Sequence, residues 1–257
     1  MIKNKKIKDW YFQNNNYRDK EIEKIFDVEY AHFKVEENDD LYITKYGLPI
    51  IEYLLPSNYF TDKDWFKENS ISLPGTSSIY KVKTKSINEK QISIVLKWNR
   101  MGQNVPGAEF LEEFYEAEFN SPFEEFSFVF DLIESSKNIS KEFNIQKPLA
   151  IYSPAKIEES WRIDRRKYKM NKIIRKHTEI DINMFRTYAV VYEWIEGFDA
   201  VQAVKEKYLD EKYLELLTLD ADSKLDSLGF YVNDRKPQHI IVDKRKIKSI
   251  RKDEYKY

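Results

Sequence analysis

Short runs of apolar residues along the chain predict β-strands. The clearest run is residues 92–98, Ile-Ser-Ile-Val-Leu-Lys-Trp, which is rich in β-branched side chains, and shorter runs at 71–73 and 79–82 precede it. Polar turns separate these three runs, so the pattern indicates an antiparallel meander. Two further strands are predicted at residues 148–152 and 188–192.

Apolar residues recur at helical spacing in other segments. The stripe that follows Ser121 and Pro122 predicts a helix, in which Ser121 caps the N-terminus and Pro122 occupies the first position. Residues 200–208 and 211–228 are predicted to form two more helices, and a narrow apolar stripe predicts a charged helix over residues 17–26. Strands and helices together indicate the α+β class.

Composition narrows the class of protein. The chain has 257 residues, 42% of them hydrophobic and 15% aromatic, enough to bury the core of one large domain or of two lobes. Charged residues make up 34%, yet the net charge is only −1, which argues against a nucleic-acid or membrane-surface partner. Cysteine is absent, so there is no disulfide framework and no cysteine zinc site.

Targeting signals are not evident in the sequence. The basic N-terminus is not followed by the apolar core of a signal peptide, and no window has the apolar length of a membrane span. We therefore expect a cytoplasmic protein. Residues 158–176 are strongly basic and allow two interpretations, a nucleic-acid contact or a solvated insert, of which the balanced total charge favours the insert.

A segment near the C-terminus carries the most specific chemistry. Residues 232–242, VNDRKPQHIIV, place Asp234, Lys236 and Pro237 before an apolar run. This resembles the catalytic loop of the protein-kinase-like fold, H-R-D-x-K-P-x-N followed by a buried strand. The resemblance implies that Asp234 accepts the proton of a substrate hydroxyl, and that Lys236 neutralises the phosphate as it transfers.

Two positions depart from the family pattern. Val232 and Asn233 replace His-Arg, and His239 stands where the family has its metal-binding Asn. The resemblance assigns His239 to the magnesium ion, although magnesium prefers oxygen ligands. Two other roles for His239 stay open, namely a hydrogen bond to the Asp234 loop and a direct contact with a phosphate.

The phosphate-covering loop of kinases, G-x-G-x-x-G-x-V, has a partial counterpart upstream. Aligned on Gly75 and Val82, this chain reads G-T-S-S-I-Y-K-V, in which Ser77 and Tyr80 replace the second and third glycines. The resemblance implies that backbone amides of this loop cover the phosphates of a nucleotide. The residues assigned to nucleotide binding here are Gly75, Thr76, Ser77, Ser78 and Val82.

A strand lysine and a helical glutamate are the next expected parts. Lys97 ends an Ile-Val-Leu-Lys run that resembles V-A-I-K, which implies that it anchors the α and β phosphates rather than lying at a solvated edge. In kinases a helical Glu pairs with this Lys. Glu125 is the first choice because its helix leads into the next strand; Glu124 is its neighbouring alternative, and Glu116 is another candidate.

Another segment that resembles a part of the kinase fold is residues 186–197, RTYAVVYEWIEG. Here a predicted buried strand turns into a polar segment. It resembles the kinase hinge, whose backbone hydrogen-bonds the adenine edge. The resemblance therefore assigns Glu193, Trp194 and Ile195 to nucleotide binding.

These parts occur in family order, and together they imply an α+β, protein-kinase-like fold with a small antiparallel-sheet N-lobe and the beginning of a helical C-lobe. The expected divisions are an N-terminal extension at 1–69, an N-lobe with hinge at 70–197, and a partial C-lobe at 198–257. The implied function is an ATP- and Mg²⁺-dependent phosphotransferase. Its substrate would be a hydroxyl of a protein or a small molecule, as in bacterial-type serine/threonine kinases or related small-molecule enzymes.

The D-F-G segment that holds magnesium in kinases is absent from the sequence, and Asp253 in K-D-E-Y is a poor substitute. We therefore expect this chain to be a fragment with little activity by itself. Two alternatives remain. One is a catalytically inactive pseudokinase that serves as a nucleotide-binding or scaffold protein, and the other is a generic α+β domain with coincidental motifs.

Overall fold

The computed structural model describes residues 18–75, 77–104, 119–137, 144–159, 161–176, 178, 182–232 and 235–243. The strands in this part of the chain are β1 Arg18–Ile25, β2 Val28–Val35, β3 Asp39–Ile43, β4 Ser70–Leu73, β5 Ile79–Lys83, β6 Ser93–Trp98, β7 Pro148–Ser153, β8 Ala189–Glu193, β9 Phe198–Asp199 and β10 Ile241–Val242. The α-helices are α1 Lys63–Asn69, α2 Pro122–Ser136, α3 Lys167–Lys176, α4 Ala200–Lys205 and α5 Lys212–Ser227. Short 3₁₀ helices span Leu48–Leu54, Pro56–Asn58 and Pro237–His239.

The predicted α+β class is confirmed, and the sheet is larger than expected. Eight strands form one sheet in the order β1-β2-β3-β7-β8-β6-β5-β4, and all neighbours are antiparallel. The expected small sheet is therefore wrong in size, because β1 to β3 pair onto β7 and extend it. The expected division between residues 69 and 70 lies between strands of this same sheet.

The helix predicted over residues 17–26 is wrong. Residues 18–25 form β1, which pairs with β2 from Ile25 opposite Val28 onwards. Phe26 and Asp27 both have positive φ, 47° and 62°, as a two-residue type I′ hairpin turn requires. Pairing along the whole of β2 prevails over the weak helical stripe, since a narrow apolar stripe stabilises a helix only where it can pack.

The sheet buries side chains on both faces. Leu96 and Val191 belong to one apolar cluster, whereas their neighbours Val95 and Val190 contact a second cluster. Because successive strand residues point to opposite faces, the two clusters lie on opposite sides of the sheet. The second cluster also contains the buried phenylalanines of α2, so this helix packs on the face of Val95 and Val190; they are Phe123, Phe126 and Phe130.

The chain divides into two compact units, residues 1–131 with 145–194, and residues 132–144 with 195–257. The larger unit contains the eight-stranded sheet. The smaller unit has its own apolar core around α4 and α5, formed by Ala200, Ala203, Leu209, Tyr213 and Val242.

Local signals mark the ends of the two helices in the smaller unit. Asp199 caps α4 by accepting a hydrogen bond from the Gln202 amide at 2.9 Å. Gly229 follows α5 with a φ of 78°, the left-handed conformation that glycine adopts readily at helix C-termini. Among the described residues, no helix is both long enough and apolar enough to cross a lipid bilayer.

Candidate functional site

The centre of the candidate site is an ion pair between β6 and α2. Lys97 Nζ donates to Glu125 Oε1 at 2.8 Å, across 28 residues of sequence. In β6, Ile94 and Leu96 are buried in the first apolar cluster, so Lys97 points to the opposite face, where α2 packs. The Lys97 side chain is 32% exposed, and its ammonium has three donors, so it can bind an anion while it stays paired.

The start of α2 explains why Glu125, and not its neighbour, meets Lys97. Ser121 Oγ accepts from the Glu124 amide at 3.2 Å, and Glu124 Oε2 accepts from the Ser121 amide at 2.9 Å. This reciprocal arrangement is a capping box, so the predicted capping role of Ser121 is confirmed. Because the Glu124 carboxylate is used in the cap, Glu125 is the carboxylate that faces the sheet.

Two further groups contact the Glu125 carboxylate. Tyr192 on β8 donates its hydroxyl hydrogen to Oε1 at 2.8 Å, and Asn99 Nδ2 lies 3.5 Å from Oε2. Asn99 is itself fixed, because it also donates to the Asn120 carbonyl at 3.1 Å. Burial, and then the nearby charge of Glu125, raise the pKa of Tyr192 well above its ordinary value, so this hydroxyl acts as a donor.

The loop between β4 and β5 lies beside the lysine. Ile79 pairs directly with Lys97, so both side chains lie on the same face. A Cβ on Gly75 would come within 2.6 Å of Ile79 Cδ1, so the loop bends back closely over that side chain. Ser78 is tied to the end of β6, since its carbonyl accepts from the Trp98 amide at 3.0 Å. Gly75 therefore lies close to the Ile79 side chain and Ser78 close to the end of β6, with Ser77 between them in sequence, whereas Thr76 lies outside the described residues.

Val82 does not lie on the lysine face, and its assignment to the nucleotide is corrected here. It is fully buried in the first apolar cluster and pairs with Ile94. The cause is the two-residue period of a strand: Ile79 and Val82 are three positions apart and so point to opposite faces. On the Lys97 side this position is taken by Lys81, whose Nζ lies 4.0 Å from the centre of the Trp194 ring.

The three predicted hinge residues differ in their contacts. Both backbone groups of Glu193 are engaged, because its amide donates to the Lys147 carbonyl at 3.0 Å and its carbonyl accepts from Gln146 Nε2 at 2.7 Å. Glu193 is therefore a poor partner for an adenine edge. Trp194 lies beneath Lys81, and Ile195 is the first residue after the larger unit.

The residues assigned to the catalytic loop are described only in part. Asp234 lies outside the described residues, as does Glu116 of the helix candidates. Lys236 precedes the 3₁₀ turn Pro237–His239, and its carbonyl accepts from the His239 amide at 2.9 Å. His239 is exposed and belongs to no group of three potential metal ligands among the described residues. Asp234, a candidate ligand in the same segment, lies outside the described residues, so the assignment of magnesium to His239 stays a prediction.

Sequence reasoning missed a polar cluster on β1 to β3. His32 Nδ1 lies 3.1 Å from Glu21 Oε1 and 2.5 Å from Glu23 Oε1, while Nε2 lies 2.7 Å from Asp40 Oδ1. Both ring nitrogens face carboxylates, so His32 is a cation that donates on both sides. Burial of the ring opposes the charge, but the hydrogen bonds to Asp40 and Glu23 outweigh it and raise the pKa of His32 to about 9.

Asp40 is the centre of this ion network. It also contacts Lys34 Nζ at 2.5 Å and Arg186 Nη1. Burial would raise the pKa of Asp40, yet its hydrogen bonds with His32, Lys34 and Arg186 hold it well below the usual range. The potential ligand atoms of Glu21, Glu23 and His32 lie within 4.8 Å of one another, so these side chains form an ion network when His32 is protonated and could hold a cation when it is not. The cluster becomes visible only once the strand register is known.

Comparisons with known proteins give no relative: no protein-family model, no curated protein and no solved structure matches this chain. The geometry around Lys97 is therefore the basis of the function proposed for this chain.

Proposed function

We propose that this chain binds ATP through Lys97 and belongs to a phosphotransferase with a protein-kinase-like fold. One observation carries the proposal, the 2.8 Å pair of Lys97 and Glu125 between a sheet strand and a packed helix. Protein kinases use a strand lysine and a helical glutamate in this way to hold the α and β phosphates. The resemblance assigns Lys97 and, as the first choice, Glu125 to these roles.

The neighbouring groups support an anionic ligand at this position. The loop that contains Gly75, Ser77 and Ser78 leads into Ile79, the residue of β5 that pairs with Lys97. Backbone amides of such a loop, together with an ammonium, form a phosphate-binding environment. Lys81 adds a second positive charge on the same face.

The transfer step follows from the catalytic-loop resemblance. The substrate hydroxyl oxygen would form a bond to the γ phosphorus as the bond from that phosphorus to the bridging oxygen breaks, and ADP would leave. Asp234 would take the hydroxyl proton, and Lys236 would neutralise the charge of the transferred group. The resemblance assigns a magnesium ion to His239, and no step here depends on it. The hydroxyl substrate is a protein or a small molecule.

A second candidate function is nucleotide binding without transfer. Ser77 and Tyr80 in place of two loop glycines, and Val232 and Asn233 in place of His-Arg, favour it. Substitution of Asp234 by Asn in a full-length version of the protein separates the two candidates. Transfer of labelled phosphate from ATP should fall to background if the chain is an enzyme, while ATP binding should stay unchanged under both candidates.

The binding site is tested with Lys97→Met and a matched control, Lys83→Met. Lys83 lies on the same face of the sheet, two residues along β5 from Lys81, and is exposed. Loss of a hydrogen bond to a charged group costs about 1.5–3 kcal/mol, so calorimetry should show ATP binding weakened by roughly tenfold to a hundredfold for Lys97→Met. The control should bind as the unaltered protein does. Equal affinities for the two variants would refute the assignment of Lys97.

A further inference from the structure

We propose that Tyr192 is a positioning residue, which holds Glu125 in place and through it fixes Lys97 for the phosphates of the nucleotide. This inference rests on the proposed function and adds a residue that no kinase motif in the sequence identifies. Tyr192 does not contact the nucleotide in this proposal. It acts through the carboxylate that pairs with the lysine.

The contacts of Tyr192 support this role. Its hydroxyl donates to Glu125 Oε1 at 2.8 Å, and this is the same oxygen that accepts from Lys97 at 2.8 Å. Tyr192 pairs with Val95 on the central part of the sheet, so the hydroxyl projects from the face on which α2 packs. The Tyr192 hydroxyl on β8 therefore holds the Glu125 carboxylate from the side of the sheet, while the backbone of α2 holds it from the side of the helix.

The ring of Tyr192 cannot move easily. It is 7% exposed, and it packs edge-on against Phe126 with ring centres 5.2 Å apart. A buried ring in such contacts has few rotamers available, so the hydroxyl is held at a defined position. Asn99 is the other neighbour of the carboxylate, but at 3.5 Å its contact is long. Tyr192 is thus the stronger neutral partner of Glu125.

Removal of the hydroxyl alone should have a specific effect. In Tyr192→Phe the packing of the ring is retained, whereas the Glu125 carboxylate loses a donor in a partly buried setting. A carboxylate with fewer donors adopts other rotamers more often, so Lys97 spends less time in the geometry that binds phosphate. Affinity for phosphates should fall, while affinity for the nucleoside part should not.

The first test compares two ligands. Calorimetry should show that Tyr192→Phe weakens ATP binding by about tenfold, the factor expected for a hydrogen bond to a charged group, and leaves adenosine binding unchanged. Tyr188→Phe is the matched control, since Tyr188 is also buried in the second cluster and its hydroxyl accepts from the Asn183 amide at 3.2 Å. Equal losses for ATP and adenosine would indicate a general structural role and overturn the proposal.

The second test needs no nucleotide, so it separates failure of this inference from failure of the proposed function. Acetylation of Lys97 by acetic anhydride, followed by peptide mass spectrometry, reports how firmly its amine is held. The rate should rise several-fold in Tyr192→Phe and stay constant in Tyr188→Phe. If the unaltered protein binds no ATP, the acetylation rates alone decide the role of Tyr192, and equal rates in all three proteins would overturn it.

Discussion

At the scale of single residues, the protein contains two ion pairs that involve charged side chains on strands of the sheet. Lys97 with Glu125 and His32 with Asp40 each join a cation to a carboxylate across secondary-structure elements. The two pairs differ in solvent exposure and in their capacity to bind a ligand. Lys97 is 32% exposed and can accept a ligand, whereas the His32 side chain is 10% exposed and both of its nitrogens are occupied.

The His32 network should make stability depend on pH. The folded-state pKa of about 9 is raised above the ordinary value of 6.5, so the stabilising effect is complete below pH 6.5 and is lost as pH rises through 9. Urea unfolding between pH 6 and pH 10 should show a decrease in the free energy of unfolding of up to about 3 kcal/mol from this residue.

Two substitutions isolate that effect. His32→Gln should be less stable than the unaltered protein at pH 6 and should have a flatter pH profile. His239→Gln, at an exposed position, should keep the original profile. Parallel profiles for His32→Gln and the unaltered protein would mean that the network contributes nothing that titrates.

At the scale of elements, the sequence was informative where a local signal decides the structure. The start of α2 is an example, because Ser121, Pro122 and Glu124 specify a helix N-terminus by contacts within a single turn. The hairpin of β1 and β2 was missed for the opposite reason. Its turn residues, Phe26 and Asp27, carry no glycine signal, and β1 is stabilised by pairing with another strand.

The cap of α2 should connect helix stability with the candidate site. Ser121→Ala removes the acceptor for the Glu124 amide and should lower the free energy of unfolding by about 1 kcal/mol in urea titrations. It should also weaken ATP binding, because the first turn carries Glu125. Ser136→Ala, at the far end of the same helix, is the control and should leave ATP affinity unaltered. A loss of stability with full ATP affinity would show that the cap does not position Glu125.

At the scale of the whole molecule, the sequence predicted the order of the strands and helices better than it predicted which strands pair in the sheet. The strands at 71–73, 79–82 and 92–98 were expected from short apolar runs rich in β-branched residues, and each is present. That β1 to β3 join them through β7 is a long-range pairing, and hydrophobic patterns do not specify which strands become neighbours. The Lys97–Glu125 contact was predictable only through resemblance, since 28 residues separate the partners.

The inclusion of residues 18–43 in the sheet leads to a test of cooperativity. Leu41 on β3 is fully buried in the same cluster as Leu96 and Val191, although it belongs to the segment expected to be an extension. Leu41→Ala should therefore destabilise the whole larger unit by about 2–5 kcal/mol, the range for a buried leucine. Ile71→Ala is the control, since Ile71 on the edge strand β4 is 65% exposed and its removal should change stability by less than about 0.5 kcal/mol.

Hydrogen exchange of the β6 and β8 amides distinguishes the two architectures. If β1 to β3 unfold together with the rest of the sheet, Leu41→Ala lowers protection in β6 and β8 by the same free energy as it lowers protection in β3. If residues 18–43 were instead a separately folding extension, only β1 to β3 would lose protection, and the β6 strand that carries Lys97 would exchange as in the unaltered protein.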